Sequence, residues 1–543
     1  MTSVANAVGE RLAELGVGAA FGVVGSGNFE VTNALIAGGV PFVAARHEGG
    51  AASMADGYSR LSELPAVLSV HQGCGLTNAM TGIAEAAKSR TPLLVLAADT
   101  AGSAVLSNFR IDQDGLARSC GAVAERVHSP ATALADIDRA YRTAVHGRRT
   151  VVVNLPLDVQ SAVLGDRAPA AVVAAPRPVR PAADSVVELA ALIRGAARPV
   201  FVAGRGAREA GSEIADLAEQ AGALVATSAV ANGLFEDEDF RLGISGGFSS
   251  PLAAELISGA DLVVGWGCAL NMWTMRHGSL LGAEAKVVQV DDDQHAIGAH
   301  RPVDLGVHGD CAATARDVAA VLGGPREGYR TADVAERLST RRWWNQTPTE
   351  DLSTSDRIDP RVLSIELDRM LPAERVVAID SGNFMGYPSA YLRVPDQHGF
   401  CFTQAFQSIG LGLSSGIGAA LARPDRLAVV GTGDGGFLMG ISELDTAVRL
   451  GRPLVVVVYD DAAYGAEVHH FGATADLSAV TFPDTDLAAI ARGYGATGVT
   501  VRGVDDLAIV LEWLVTPHGV LVIDAKVADD GGSWWLAEAF KGH

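Results

Sequence analysis

Short runs of Val, Leu, Ile and Ala recur along the chain, separated by Ala-rich stretches with helical spacing. Examples are PLLVLAA (92–98), TVVVNL (150–155), RPVFVAG (198–204), DLVVGWG (261–267), KVVQVD (286–291), RLAVVG (426–431) and RPLVVVVY (452–459). Runs that are apolar at every position, not every second one, predict strands buried on both faces. They predict parallel sheets covered by helices, a doubly wound α/β architecture. None approaches the ~20 apolar residues of a membrane-spanning helix.

Two stretches break the alternation. Residues 161–184 carry Pro169, Pro176, Pro178 and Pro181, and residues 324–356 are polar and charged, ending in TPTEDLSTSD. They divide the chain into 1–165, 185–325 and 356–543, each suited to one α/β domain. The outer pieces echo each other. AVLSV, a turn with Gly73 and Gly75, a helical stretch and RTPLLVLAAD are answered by LAVV, Gly433 and Gly435, SELDTAVRL and GRPLVVVVYD. TVVVNLPLDV (150–159) is answered by GVLVIDAKVA (519–528). One such echo is what any two parallel α/β units show. Two at nearly the same offset favour a duplicated domain.

Composition narrows the function. A chain of 543 residues predicts three or four domains. With 48% apolar and 19% charged residues it is neither disordered nor fibrous. A net charge of −21 argues against sequence-independent binding to nucleic acid or to anionic membranes, so neither is an expected partner. Mean hydropathy is +0.22, high for a chain without membrane spans. The five cysteines (Cys74, Cys120, Cys268, Cys311, Cys401) show no CxxC spacing, and Glu10, Arg11 and Glu14 interrupt any leader-like N-terminus. Both observations predict a reducing, cytoplasmic setting.

The richest local signal is LAVVGTGDGGF (427–437), an apolar strand running into a glycine-rich turn, with a helix expected from near Ser442. Such a turn lets backbone N–H groups approach an anion. Gly431, Gly433 and Gly436 spell GxGxxG, and the next strand ends in Asp460. That fits a dinucleotide fingerprint, hence an NAD-dependent dehydrogenase, with the acid on a ribose hydroxyl. Alternatively, Asp434 inside the turn would repel a pyrophosphate unless a divalent cation lies between them. With Asp461 it would supply two carboxylates to an octahedral Mg²⁺ site completed by a carbonyl, water and phosphate oxygens. A plain Asp-Gly turn is the third reading.

Between Gly433-Asp434-Gly435 and Asp460-Asp461 lie 24 residues. This resembles the GDG-x(24–27)-NN signature of thiamine diphosphate (ThDP) enzymes, continued here as DDAAYGAE (460–467). Both asparagines are replaced by aspartates. The resemblance implies a metal site of Asp434, Asp461 and the carbonyl of Ala463, with Tyr464 and Gly465 beside it and Gly433, Gly435 and Gly436 on the diphosphate. It leaves Asp460 without an obvious role.

The same resemblance, to the three-domain superfamily of acetolactate synthase, benzaldehyde lyase and pyruvate decarboxylase, extends over nearly the whole chain. It implies pyrimidine-binding, central and pyrophosphate-binding domains in that order, and a cofactor held between two protomers of a homodimer or dimer of dimers. It places Glu48, in VPFVAARHEGGAASMADGYSR (40–60), on the aminopyrimidine, although an acid opening a helix equally serves the helix dipole. It matches Asn78 after GCG, where the family usually has GPG. It matches Ser381, Gly382 and Asn383 to a diphosphate loop, Ile409 to the aliphatic wedge that bends the cofactor, and Gln407 to the carbonyl that accepts from its 4′-amino group.

The implied substrate is a 2-oxo acid or related ketone. After ylide formation and decarboxylation, the enamine is either passed to a second carbonyl compound, as in carboligation, or protonated to release an aldehyde. Gln113 matches the glutamine of the carboligases, and Glu467 an acid of the decarboxylases. Each equally reads as an ordinary loop or helix residue. Ser26 stands where pyruvate decarboxylases have an acid, with Asn28 close by, and His71, His469 and His470 are candidate substrate contacts. Trp534 and Trp535 read as a lid or as residues packed under a helix. The middle piece lacks the usual FAD signature, leaving Trp273 and Arg276 as its candidate nucleotide contacts, so no flavin is expected.

Overall fold

The computed structural model describes residues 2–62, 64–165, 174–472 and 474–539. Pro169 of the proline-rich linker and Phe540 of the C-terminal stretch lie outside the described residues. Three six-stranded sheets follow one another along the chain, and every pairing in them is parallel. The apolar runs form their central strands, fully buried because helices cover both faces.

The first sheet contains β1 (Ala19–Gly22), β2 (Phe42–Ala44), β3 (Ala66–Val70), β4 (Leu93–Asp99), β5 (Val123–Arg126) and β6 (Thr150–Pro156), in the order β2-β1-β3-β4-β6-β5. The second contains β7 (Pro199–Ala203), β8 (Leu224–Thr227), β9 (Arg241–Ile244), β10 (Leu262–Trp266), β11 (Lys286–Asp291) and β12 (Leu305–His308), in the order β12-β11-β10-β7-β8-β9. The third contains β13 (Arg375–Ile379), β14 (Phe400–Phe402), β15 (Leu427–Gly433), β16 (Leu454–Asp460), β17 (Thr497–Val501) and β18 (Val520–Lys526), in the order β14-β13-β15-β16-β18-β17. The third order repeats the first strand for strand. The middle order is that of dinucleotide-binding α/β folds.

The first and third sheets are joined by two helices in backbone contact. A Cβ on Gly57, in the helix Glu48–Leu61, would lie 2.5 Å from the Ser415 carbonyl oxygen. One on Gly418, in the helix Gly412–Ala422, would lie 2.1 Å from the Met54 carbonyl oxygen. Around this crossing Ala51, Met54 and Ala55 share one hydrophobic core with Leu413, Ile417 and Val430. The second sheet is attached through arginines. Arg208 donates to the Arg60 carbonyl at 2.8 Å and to the Gln397 carbonyl, and Arg205 donates to the Ser89 carbonyl.

Two expectations change. The polar stretch 324–356 contains a helix, Ala332–Arg341, whose Val334 and Leu338 share a core with Leu252 and Leu256. Only two apolar positions, one helical turn apart, carried that signal. And a helix begins at Asp434 itself (Asp434–Met439), ahead of the one at Glu443–Leu450. No helix among the described residues is long and apolar enough to cross a membrane.

Gly418→Ala should therefore overfill the crossing and cost about 1–3 kcal/mol, read as a lower urea midpoint. Gly195→Ala, at a helix end with open space around it, should be neutral or slightly stabilising in the same assay.

Candidate active site

A cleft of about 1230 Å³ opens at the carboxyl ends of β13, β15 and β16 and faces the loops that follow β7 and β10. Carboxyl-end crevices are where open α/β sheets bind ligands. The cleft brings together Ser381, Gly382, Asn383, Gln407, Ile409, Gly433, Asp434, Gly435, Gly436, Asp461, Ala463, Tyr464, Gly465 and Glu467. Neighbouring side chains leave no room for a Cβ at its glycines. A Cβ on Gly435 would meet the Tyr464 ring at 2.6 Å, and one on Gly465 would meet Asp461 Oδ2 at 2.2 Å.

Asp434 is only 7% exposed and opens a helix at the end of β15. Burial, then the charges of Asp461 and Asp460, push its carboxyl up to about 8. Burial, with Asp460 adding to it, pushes Asp461 up to about 6. Two desolvated carboxyls that repel each other beside a glycine turn fit a divalent cation holding a diphosphate. Ala463 lines the same cleft and can add its carbonyl. Among the described residues no group of three or more His, Cys, Asp or Glu side chains forms a metal site. Two carboxylates, a carbonyl and exogenous oxygens are therefore the available set.

Asp460 does not face the cleft. Its Oδ2 accepts from Lys526 Nζ at 2.5 Å in the interior, and its Oδ1 accepts from the Ala462 N–H at 2.9 Å. It cannot serve as the ribose-binding acid of a dinucleotide fingerprint, and the third sheet has a different strand order from that fold. The dehydrogenase reading falls with it.

Asp380 is a residue that no motif in the sequence announced. It is fully buried just after β13, and its carboxylate accepts from the N–H groups of Ser381 (2.8 Å), Gly410 (3.1 Å) and Leu411 (3.2 Å) and from the Thr432 hydroxyl (3.0 Å). The loops carrying Ser381, Ile409 and Gly433 thus hang on one side chain. Burial pushes it up to about 6 against those four donors.

The candidate residues of the first domain lie outside the cleft. Glu48 is half-buried and opens its helix, and its Oε2 accepts from Asn78 Nδ2 at 3.0 Å. Gln113 is buried. Its Oε1 accepts from the Gly73 N–H at 2.8 Å, and its Nε2 donates to the Ala98 carbonyl and to Asn154 Oδ1. Asn28 is buried and pins the loop around exposed Ser26, accepting from the Gly25 N–H and donating to Ser69 Oγ and the Val23 carbonyl. His71 packs against Phe109 with ring centroids 5.0 Å apart. His469 and His470 are exposed on the helix Gly465–Phe471 that also carries Glu467.

The two C-terminal tryptophans pack inward. Trp535 Nε1 donates to the Asn383 carbonyl at 3.0 Å, and Ser533 Oγ donates to Asn383 Oδ1 at 2.7 Å. Trp534 stacks on Trp344, and the Arg276 guanidinium lies 4.3 Å from its ring centroid. Arg276 also donates to the Gly246 and Ser249 carbonyls.

Family models match the chain in three blocks. These are the thiamine pyrophosphate enzyme N-terminal TPP binding domain over residues 2–115, the central domain over 186–318 and the C-terminal TPP binding domain over 380–525. The sulfoacetaldehyde acetyltransferase of Rhodobacter capsulatus is 30% identical over 524 residues, covering 91% of this chain and 88% of that protein. The acetolactate synthase of Bacillus subtilis is 30% identical over 539 residues (96% and 93%). The probable 2-ketoarginine decarboxylase of Pseudomonas aeruginosa is 29% identical over 534 (95% and 92%).

The raised carboxyls of Asp434 and Asp461 give a signed prediction. The folded chain holds their protons to higher pH than the unfolded chain does. Without divalent cation, stability should be greatest below about pH 4 as far as these groups are concerned, and should fall as pH rises through 6 to 8. Thermal melts across that range should show the loss, and saturating Mg²⁺ should remove it while releasing protons. Asp461→Asn should flatten both effects.

Proposed function

The chain belongs to the thiamine pyrophosphate enzyme family and is a ThDP-dependent enzyme, and we propose that it is a Mg²⁺-dependent carboligase that transfers the acyl part of a 2-oxo acid to a carbonyl acceptor. The single observation that carries the carboligase reading is the size of the cleft. At about 1230 Å³, and reaching from the glycine turn to the loops after β7 and β10, it has more room than the ~300–1,000 Å³ typical of a site for one small molecule. Relatives named acetyltransferase and acetolactate synthase agree with this reading.

When bound, ThDP supplies a nucleophilic carbon that adds to a carbonyl group and stabilises the negative charge left when its neighbouring bond breaks. The chain's residues do the rest. The N–H groups of the Gly433–Gly436 turn hold the diphosphate, and Asp434, Asp461 and the Ala463 carbonyl hold Mg²⁺. Ile409 packs against the cofactor, and the Gln407 carbonyl accepts from its amino group. The positive φ of Gln407 (62°) sets the direction of that peptide. Glu48 would hold or give up a proton at its carboxylate beside the pyrimidine ring.

Glu48 lies outside its own chain's cleft, so the proposal includes a homodimer in which each protomer completes the other's site. Exposed apolar residues support such an interface. Val24 and Phe29 flank Ser26, Leu106, Phe109 and Ile111 precede Gln113, and Leu438 and Met439 follow Asp434. A second reading, non-oxidative decarboxylation, is favoured by Glu467, an exposed carboxylate on the cleft wall placed to protonate a carbanion.

Protein purified with added Mg²⁺ and ThDP should release thiamine fluorescence after oxidation, and should ligate a 2-oxo acid to an aldehyde when products are screened by mass spectrometry. Aldehyde as the sole product would favour the second reading, and absence of bound ThDP would refute both. Glu48→Gln should lower kcat by about 10²–10⁴-fold with little change in ThDP affinity. Glu467→Ala should reduce aldehyde release more than ligation if Glu467 supplies the proton.

A further inference from the structure

Asp460 and Asp461 are adjacent carboxylates at the end of β16, and a cation in the cleft could draw either. The chain separates them. Asp461 lines the cleft, whereas Asp460 is 1% exposed and turned to the interior. What holds it there is one of only four lysines in the sequence. Lys526 sits directly opposite Asp460 in the parallel β16–β18 register, itself 1% exposed. Its Nζ lies 2.5 Å from Asp460 Oδ2, 2.6 Å from Asp484 Oδ1 and 3.2 Å from Asp524 Oδ1, and it donates to the Thr485 carbonyl at 2.7 Å. One ammonium with three hydrogens therefore meets three carboxylates and a carbonyl. The Ala462 N–H occupies the other Asp460 oxygen, and Ala462 itself takes a positive φ of 57°.

We propose that Lys526 is a positioning residue for the cofactor's cation. It holds the Asp460 carboxylate away from the cleft, so that Asp461 alone of the pair is left to ligate. An Asn at position 460 would leave Lys526 with Asp484 and Asp524, so the charge that Asp460 carries in place of a neutral side chain is taken up by a cation shared with those two carboxylates. The family's asparagine is thereby replaced without adding a third carboxylate to the metal site. This rests on the cofactor reading of the cleft.

The test is cation binding by the full-length protein, measured with Mn²⁺ and ThDP by electron paramagnetic resonance, with each variant checked for folding by circular dichroism. Asp460→Asn should bind Mn²⁺ within about threefold of the unaltered protein. A loss of about 10–100-fold, the size that follows removal of an outer-shell partner, would make Asp460 part of the metal site and overturn the proposal. Asp461→Ala should lose about 100-fold or more. Adding Lys526→Met to it should restore at least about tenfold, because Asp460 is then free to turn to the cation. A folded Asp461→Ala/Lys526→Met protein that binds no better than Asp461→Ala would also overturn the proposal. If Lys526→Met does not fold, Asp460→Asn decides alone. Failure of the unaltered protein to bind Mn²⁺ with ThDP removes the cofactor reading and the proposal together. Binding by the unaltered protein with loss in Asp460→Asn removes only the proposal.

Discussion

The structure depends on two helices that touch backbone to backbone. Gly57 and Gly418 remove the side chains that would hold the helices Glu48–Leu61 and Gly412–Ala422 apart. One helix begins with Glu48, and the other begins three residues after Ile409. The crossing therefore sets Glu48 and the loop that carries Ile409 in one frame. At the far end of the first helix, Arg60 donates to Asp56 (2.9 Å), to Glu85 (2.7 Å) and to the Phe402 carbonyl (2.7 Å). Glu85 in turn accepts from the N–H groups of Ala405 and Phe406, just ahead of Gln407. Burial opposes ionisation of Glu85, but the guanidinium and these N–H groups outweigh it and hold its carboxyl below the usual range. Because Arg208 of the middle domain donates to the Arg60 carbonyl, all three domains meet at this cluster.

The second organising constraint is electrostatic. A chain with net charge −21 has to hold a diphosphate. The lysines and arginines of the cleft lie outside the glycine turn Gly433–Gly436. Lys88, Arg90, Arg148 and Arg205 line the cleft in the company of Gly204 and Asp291, on the side facing the middle domain. Arg90 and Arg148 are already paired with Asp293 and Asp292. At the glycine turn the fold offers backbone N–H groups and the desolvated carboxyls of Asp434 and Asp461. Lys526 works from behind, inside the sheet, where its charge is spent on Asp460, Asp484 and Asp524 and not on the ligand.

Much of this was legible in the sequence because parallel strands buried on both faces leave an unmistakable apolar signature. The turn at Gly433–Gly436 was legible because packed neighbours leave no room for a Cβ at its glycines, which therefore stand out as a cluster. The distribution of carboxylates was not. Asp380, Asp434, Asp460, Asp461 and Asp524 all sit at or near strand ends, and one-dimensional spacing cannot say which end faces the cleft and which faces the interior. The pairing of Asp460 with Lys526 depends on β18 lying beside β16, a contact between residues far apart in the chain. Its one trace in sequence was the charged Asp524 and Lys526 within the apolar run VLVIDAK. The helix Ala332–Arg341 stayed hidden for a related reason, since two buried positions suffice when the neighbouring domain supplies the rest of the core.

The repeated strand order gives these details a common logic. The helix Glu48–Leu61 links β2 to β3, and the helix Gly412–Ala422 links β14 to β15, so the two helices in contact are the same element of two copies of one fold. Likewise the turn after β3, Gly73-Cys74-Gly75, occupies the position of Gly433-Asp434-Gly435 after β15. In the third domain that turn carries the acid. In the first it carries a thiol, with its backbone pinned by Gln113. Conversely, the first copy opens its linking helix with Glu48, where the third opens with Gly412. Each domain thus carries one acid at a different point of the same plan, the first at the start of the linking helix and the third in the turn after its third strand.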